Sequence, residues 1–162
     1  MRLSVKRKVS GIKAKTLKDR KNMTFEHRKK IYGYECDVYG HLNNANYLQV
    51  LESARSEALI EMDLPIAKLK EMGLQIFVIH FELDYLKAID LEEWVTVKSR
   101  IMAMDRLKST WAQEIYNGKG ELCFRSSMIA VFASSGKATR ISREMYAHFQ
   151  SYAHSDPPNN NA

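Results

Sequence analysis

The chain has 162 residues, 45% of them hydrophobic and 27% charged, with a net charge of +6. That length fits one domain with short tails, and the composition excludes a chain that is disordered throughout. No apolar run reaches the roughly 18 residues of a bilayer span, which excludes a helical membrane protein.

The charge is unevenly placed. Residues 1–22 hold nine Lys or Arg against one acid, Asp19, so this arm is +8 and the remaining 140 residues are −2. The arm has no aromatic residue interleaved with its cations, so it reads as a solvated, flexible extension, and no nucleic-acid partner is expected. The N-terminus lacks the apolar core of a secretory signal. Cys36 and Cys123 have neither CxxC spacing nor a disulfide framework, so free thiols in the cytoplasm are expected. His27, His41, His80, His148 and His154 fall into no ligand spacing such as HExxH, and neither a metal nor a cofactor is expected.

The folded domain is expected over 23–154, with 155–162 as a disordered tail. Residues 25–36 read as a weak strand through Ile31, Tyr32 and Tyr34. A polar turn over 37–44 follows, with Gly40 as breaker and Asn43 or Asn44 as helix N-cap. Over 45–62, Tyr47, Leu51, Ala54, Ala58 and Met62 recur at three- and four-residue steps and predict one apolar helix stripe. Leu48, Glu52, Arg55 and Leu59 make the neighbouring row, where Glu52 can pair with Arg55. Pro65 ends this element, and 66–72 predict a short helix stopped by Gly73.

The rest is mostly strand. Ile79, Phe81, Leu83 and Tyr85 alternate with polar residues, as do Val95, Val97, Ile101 and Ala103. Residues 107–116 and 121–133 predict two more strands around the hairpin signal Asn117-Gly118. The run 128–133 is apolar on both faces, as a central strand is. Ser142 can cap a last helix to about 153, with Met145, Phe149 and Tyr152 on one side. One long helix against one mostly antiparallel sheet is an α+β layer arrangement.

Asp37-Val-Tyr-Gly-His41-Leu-Asn43-Asn44-Ala-Asn46-Tyr47, continuing to Leu51-Glu52-Ser-Ala-Arg55, resembles the hot-dog thioesterases of the 4-hydroxybenzoyl-CoA thioesterase type. It looks most like their bacterial long-chain acyl-CoA thioesterase branch, with its D-x-x-G-H-x-N-N motif. Phe81-Glu-Leu-Asp-Tyr85-Leu is similar to the family's second strand, and the resemblance covers about 23–150. It implies a hot-dog fold, one long helix wrapped by a curved, mostly antiparallel five-stranded sheet. It also implies a homodimer or dimer of dimers whose subunits pair edge to edge, and an acyl-CoA substrate bound at the subunit interface. The family's catalytic carboxylate falls on Asp37, and the backbone N–H that polarises the thioester carbonyl falls near Asn44.

The chemistry stands without the family. The first-turn N–H groups of a helix are unpaired donors at a positive dipole end, suited to oxyanion charge. A carboxylate seven residues earlier, across a Gly-containing turn, can serve the same carbonyl as nucleophile or general base. His41 can orient Asp37 or the substrate, or pack as a turn histidine. Glu52 corresponds to the helix glutamate that a second subclass uses catalytically; beside Asp37 and Arg55 it reads as structural or substrate-contacting. Tyr47 is a candidate substrate contact, and the resemblance makes Arg106, Lys108, Lys137 and Arg140, at strand ends and loops, candidates for the CoA phosphates. The expected function is hydrolysis of an acyl-CoA thioester in lipid metabolism. The alternatives are an acyl-carrier-protein thioesterase and a non-catalytic acyl-CoA-binding protein on the same fold.

Overall fold

The segments of period two pair into one sheet around the long segment of period 3.6. A computed structural model describes residues 20–154; the basic arm through residue 19 and the tail from 155 lie outside the described residues. Strand β1 (Phe25–Lys30) is followed by a 3-10 turn (Gly33–Glu35), helix α1 (Asn44–Glu61) and helix α2 (Ile66–Glu71). Then come β2 (Gln75–Tyr85), β3 (Trp94–Met104), β4 (Lys108–Tyr116), β5 (Leu122–Ser134), the two-residue β6 (Lys137–Ala138) and helix α3 (Arg143–Gln150). The main strands lie in the order β1-β3-β4-β5-β2, all pairs antiparallel, with β6 added to β5.

The α1 stripe is the centre of the fold. Tyr47, Leu51, Ala54, Ala58 and Met62 are all buried against the concave face of the sheet. The N-terminal half of the helix packs on Val95, Val97 and Phe124. Its C-terminal half packs on Ile101, Trp111, Phe132 and, from α3, Phe149. Ser142 caps α3 through a bond from Met145 N–H at 3.0 Å.

Several local features depart from the periodic reading. The first strand stops at Lys30 because the next residues fold over the buried Glu35, whose carboxylate accepts from Lys29 Nζ and Tyr32 N–H at 3.0 Å each. β2 begins at Gln75, four residues before the alternation suggested, and its register slips between Val78 and His80. That bulge takes Ile79 off the buried face and leaves it 60% exposed. A second slip between Ile101 and Ala103 does the same to Ala103. Bulges re-aim side chains in this way without any cue in hydropathy. Asn117-Gly118 opens a longer turn than a two-residue hairpin. Asn117 Oδ1 takes the N–H groups of Lys119 and Glu121, and Gly120 supplies the left-handed backbone at φ 78°.

No helix among the described residues is long and apolar enough to cross a membrane.

Candidate active site

The motif residues come together where β1 has ended and α1 begins. Asp37 closes its own turn: its Oδ1 accepts from Tyr39 N–H at 2.9 Å and His41 N–H at 3.3 Å. The backbone repeats the closure, with Asp37 N–H donating to His41 O at 2.8 Å and Gly40 N–H to Asp37 O at 3.1 Å. Gly40 sits at φ 81°, a conformation side chains resist, which explains the glycine at this corner. The result is a carboxylate anchored by one oxygen, with Oδ2 bonded to nothing among the described residues.

Asn43 is the N-cap of α1, its Oδ1 accepting from Ala45 N–H at 3.0 Å, while its carbonyl takes Asn46 N–H at 2.8 Å. The Asn44 N–H comes just before these two capped groups and makes no hydrogen bond to the described residues. Glu35 holds this end of the helix in place: its carbonyl accepts Asn43 N–H at 2.9 Å and Asn46 Nδ2 at 2.8 Å. Tyr85 holds it from the other side, donating its hydroxyl to Asn44 O at 3.1 Å.

Asp37, His41, Asn44, Tyr47 and Tyr85 line one cleft of about 270 Å³, closed along one wall by Leu86, Lys87 and Ala88. Tyr47 forms its floor. It is 3% exposed, with its ring 5.1 Å from Tyr85 and 4.7 Å from Phe124. Burial pushes its phenol up to about 12, with Cys123 and Tyr85 adding to the rise and a backbone bond from Ile89 opposing it, so it stays protonated. The His41 ring stands 3.4 Å from Asp90 Oδ1, both side chains well exposed. Its backbone, not its imidazole, serves the aspartate. The Cys36 thiol is pushed up by burial and by the charges of Glu35 and Asp37, which disfavours the thiolate a cysteine nucleophile needs.

The other sequence candidates lie elsewhere. Glu52 is eight residues along α1 from Asn44, roughly 12 Å at the helical rise. Its 74% exposed carboxylate meets Arg55 Nη2 at 3.2 Å. Arg55 in turn donates from Nη1 to Gln113 Oε1 at 2.7 Å, and burial lowers its pKa against the opposing effect of Glu52. This pair marks the mouth of a separate apolar cavity of about 80 Å³ between α1, β2 and α3, lined by Leu59, Ile76, Trp111, Phe132 and Phe149 among others. Arg106 and Lys108 stand at the β3–β4 turn, where Arg106 Nε donates to Ile141 O at 2.7 Å. The Asp37 turn is tied to residues 89–91, before the other end of β3. Eleven residues of strand, roughly 30 Å, separate the two ends within one chain.

Sequence reasoning passed over Glu35, Tyr85 and Asp90. The Glu35 carboxylate closes a local turn with Tyr32, but the grip of its carbonyl on Asn43 and Asn46, like the contact of Asp90 with His41, comes from the fold. Tyr85 was legible only as the last apolar position of a strand.

The family model that matches is the thioesterase superfamily, over residues 39–124. The match begins two residues after Asp37, so it speaks for the helix and the sheet and not for the carboxylate. Escherichia coli has a long-chain acyl-CoA thioesterase, FadM, that is 29% identical over 86 residues, covering 53% of this chain and 64% of that protein. Among solved structures, a DHNA-CoA thioesterase from Staphylococcus aureus superposes with a TM-score of 0.74 at 25% identity, over 80% of this chain and 88% of that one. A second Staphylococcus aureus protein, solved in complex with CoA, gives a TM-score of 0.76 at 14% identity, over 87% of this chain and 90% of the other.

Proposed function

Because this chain belongs to the thioesterase superfamily and has the hot-dog fold, we propose that it hydrolyses acyl-CoA to a free acid and CoA at the Asp37 cleft. One observation carries this reading: a carboxylate oxygen and a helix first-turn N–H, neither bonded within the described residues, face one cleft. The thioester carbonyl sits on the Asn44 N–H, which takes the oxyanion charge together with the positive end of α1. Either water adds to the carbonyl while Asp37 takes its proton, or Asp37 Oδ2 attacks and leaves an acyl anhydride for water to open. In both routes the C–S bond breaks and the CoA thiolate departs, taking up a proton.

The acyl chain then runs along the groove between α1 and β2 towards the cavity behind Glu52 and Arg55. This gives both residues a contact with substrate and no part in bond breaking. The acyl-CoA thioesterase from Escherichia coli supports a long aliphatic chain here. A panel of saturated acyl-CoAs, followed by thiol release, tests it. Each further buried methylene is worth ~0.8 kcal/mol, about fourfold in affinity, so kcat/KM rises with chain length until the cavity is filled. Equal rates for acetyl- and palmitoyl-CoA would place the acyl group outside this groove. The two free cysteines suit a cytoplasmic setting.

The hydrolytic unit in this reading is 23–154. Contacts across its N-terminal boundary include Arg20 over the Tyr152 ring at 5.3 Å and Asn22 N–H to Ala153 O at 3.4 Å. Deletion of 1–22 is expected to cost about 1–3 kcal/mol, the scale of a cation–π contact and a hydrogen bond or two, and to leave hydrolysis intact. Loss of a cooperative melt would show that the arm belongs to the domain.

The working protein in this reading is a homo-oligomer, at least a dimer. The doubly apolar β5 lies inside the sheet, between β4 and β2, so the surface that asks for a partner is β2. That edge exposes Phe77, Val78 and Ile79, whereas the opposite edge, β1, is guarded by Glu26, Arg28, Lys29 and Lys30. Sedimentation at micromolar concentration is expected to show a dimer or larger species. Ile79→Lys should weaken it by roughly 2–4 kcal/mol, the scale of a buried interface anchor. A fully active wild-type monomer would remove the dimer from the reading.

A further inference from the structure

A row of polar side chains crosses the core beneath the middle of α1. Ser99, Gln113 and Ser126 stand opposite one another on β3, β4 and β5. All three are buried on the face turned to α1, where Ser126 lies between Phe124 and Met128 in the alternation of β5. The row therefore divides the two apolar clusters of the fold. Its bonding is nearly complete. Gln113 Nε2 donates to Leu51 O at 3.0 Å and to Ser99 Oγ at 2.9 Å, and Gln113 Oε1 accepts from Arg55 Nη1 at 2.7 Å. Ser126 is the exception: its Oγ is buried and has no hydrogen-bond partner among the described residues.

A buried hydroxyl that bonds nothing has given up its hydration without return, so a serine at this place calls for a reason. Alanine would sit between Phe124 and Met128 at no such cost. The acyl route between α1 and β2 supplies the reason. It passes over Leu83 and Phe81, the β2 partners of Ser126 and Met128, both only partly buried. Arg55 stands at the same level: it lines the apolar cavity at the end of the route, and its guanidinium lies 5.6 Å from the Phe81 ring. A plain alkyl chain on this route leaves the Ser126 hydroxyl unmet, whereas an oxygen on the chain can bond it. β3, β4 and β5 lie inside the sheet, so this polar point belongs to the same chain as α1 whatever a partner subunit adds at the β2 edge.

Resting on the hydrolase reading above, we infer that the acyl chain taken here carries an oxygen near its middle, as a hydroxyl or oxo group, and that Ser126 selects it. Gln113 bonds α1 at Leu51 and Arg55, seven and eleven residues beyond Asn44, which puts the row roughly 10–16 Å along the helix from the thioester. That is the middle of an extended C18 chain, far beyond the carbons next to the thioester. The Ser126 hydroxyl bonds the chain oxygen there. A polar group that the free protein leaves unmet thus gains its partner only from this class of substrate.

The test compares 12-hydroxystearoyl-CoA and 12-oxostearoyl-CoA with stearoyl-CoA and 3-hydroxystearoyl-CoA, by thiol release, in the full-length protein and its Ser126→Ala variant. The wild type is expected to show a kcat/KM about tenfold higher for a mid-chain oxygen than for stearoyl-CoA, through a lower KM, the scale of one hydrogen bond that meets a buried group. The 3-hydroxy chain should gain nothing. A gain with the oxo chain shows Ser126 donating; a gain with the hydroxy chain alone shows it accepting. In Ser126→Ala the preference should vanish, while the Tm should equal or exceed that of the wild type, because alanine removes an unmet polar group. Displacement of a fluorescent fatty acid by 12-hydroxystearic or stearic acid reads the same preference without hydrolysis. Equal kcat/KM for plain and mid-chain oxygenated thioesters, or a preference that survives in Ser126→Ala, would overturn the assignment. So would a Tm lower by about 3 °C or more in that variant, which would show the hydroxyl already bonded in the free protein. A Ser126-dependent preference for the hydroxy acid in a protein that cleaves no thioester would keep the polar point and remove the hydrolase.

Discussion

Asp37→Asn is expected to lower acyl-CoA turnover by roughly two to four orders of magnitude, the scale of losing a positioned acid–base group, with little change in fold or substrate affinity. The amide oxygen can still accept the Tyr39 and His41 N–H groups that Asp37 Oδ1 holds at 2.9 and 3.3 Å, so the turn and Gly40 keep their geometry. What is lost is the charge on the second oxygen, which can no longer attack the thioester or take a proton from water. In the proposed reading affinity persists, because the apolar cavity beside Glu52 and Arg55 does not include this residue. Glu52→Gln is the control. Its carboxylate is 74% exposed and bound to Arg55, roughly 12 Å along the helix from Asn44, and it should cost far less. Initial rates at saturating substrate for both variants, with circular dichroism to establish folding, decide the matter. Near-normal turnover in Asp37→Asn beside an inactive Glu52→Gln would move the chemistry to the helix glutamate. Indifference to both changes would leave a protein that binds acyl-CoA without cleaving it.

The largest stability effect is expected at Phe124. It has no exposed surface, and its ring lies 4.7 Å from Tyr47 and 4.9 Å from Tyr85. Truncation to alanine leaves a cavity beneath two rings that cannot both collapse into it, because Tyr85 is tied to Asn44 O and Tyr47 is fixed in the α1 stripe. A loss of roughly 3–5 kcal/mol follows, with a fall in Tm of about 10 °C or more. Phe124→Leu retains most of the volume and should cost less than half as much. Activity should fall in Phe124→Ala even at temperatures where it stays folded, because Tyr85 then loses the wall that presses it onto the start of α1. Equal melting temperatures for Phe124→Ala and wild type would show that this aromatic group is loosely packed. Stability loss with unchanged turnover would free Tyr85 from any part in positioning Asn44.

The contrast between these two sites shows how far local pattern reaches. Asp37, Gly40, Asn43 and Asn44 were legible because their roles are written within eight residues of chain: an Asx turn, a left-handed corner, a cap and a first-turn donor. The α1 stripe was legible because period 3.6 is a property of one segment, and Tyr47, Leu51, Ala54, Ala58 and Met62 are all buried as it requires. What one segment does to another was not. The two bulges that free Ile79 and Ala103 arise where one strand carries a residue more than its partner, which only pairing reveals. Tyr85 reaches Asn44 across 41 residues, His41 meets Asp90 across a bridge between loops, and Glu35 sits under the helix because its charge is met by Lys29. The length of β3 set Arg106 and Lys108 at the other end of that strand from the cleft within one chain. By itself the sequence determined the α+β class, the long helix and the turn that bears the carboxylate, because turns, caps and periodicity are short-range. Only the tertiary structure decided which side chains surround that carboxylate and which cations stand within reach of it, because those distances are set by strand register and by the closing of the sheet around one helix.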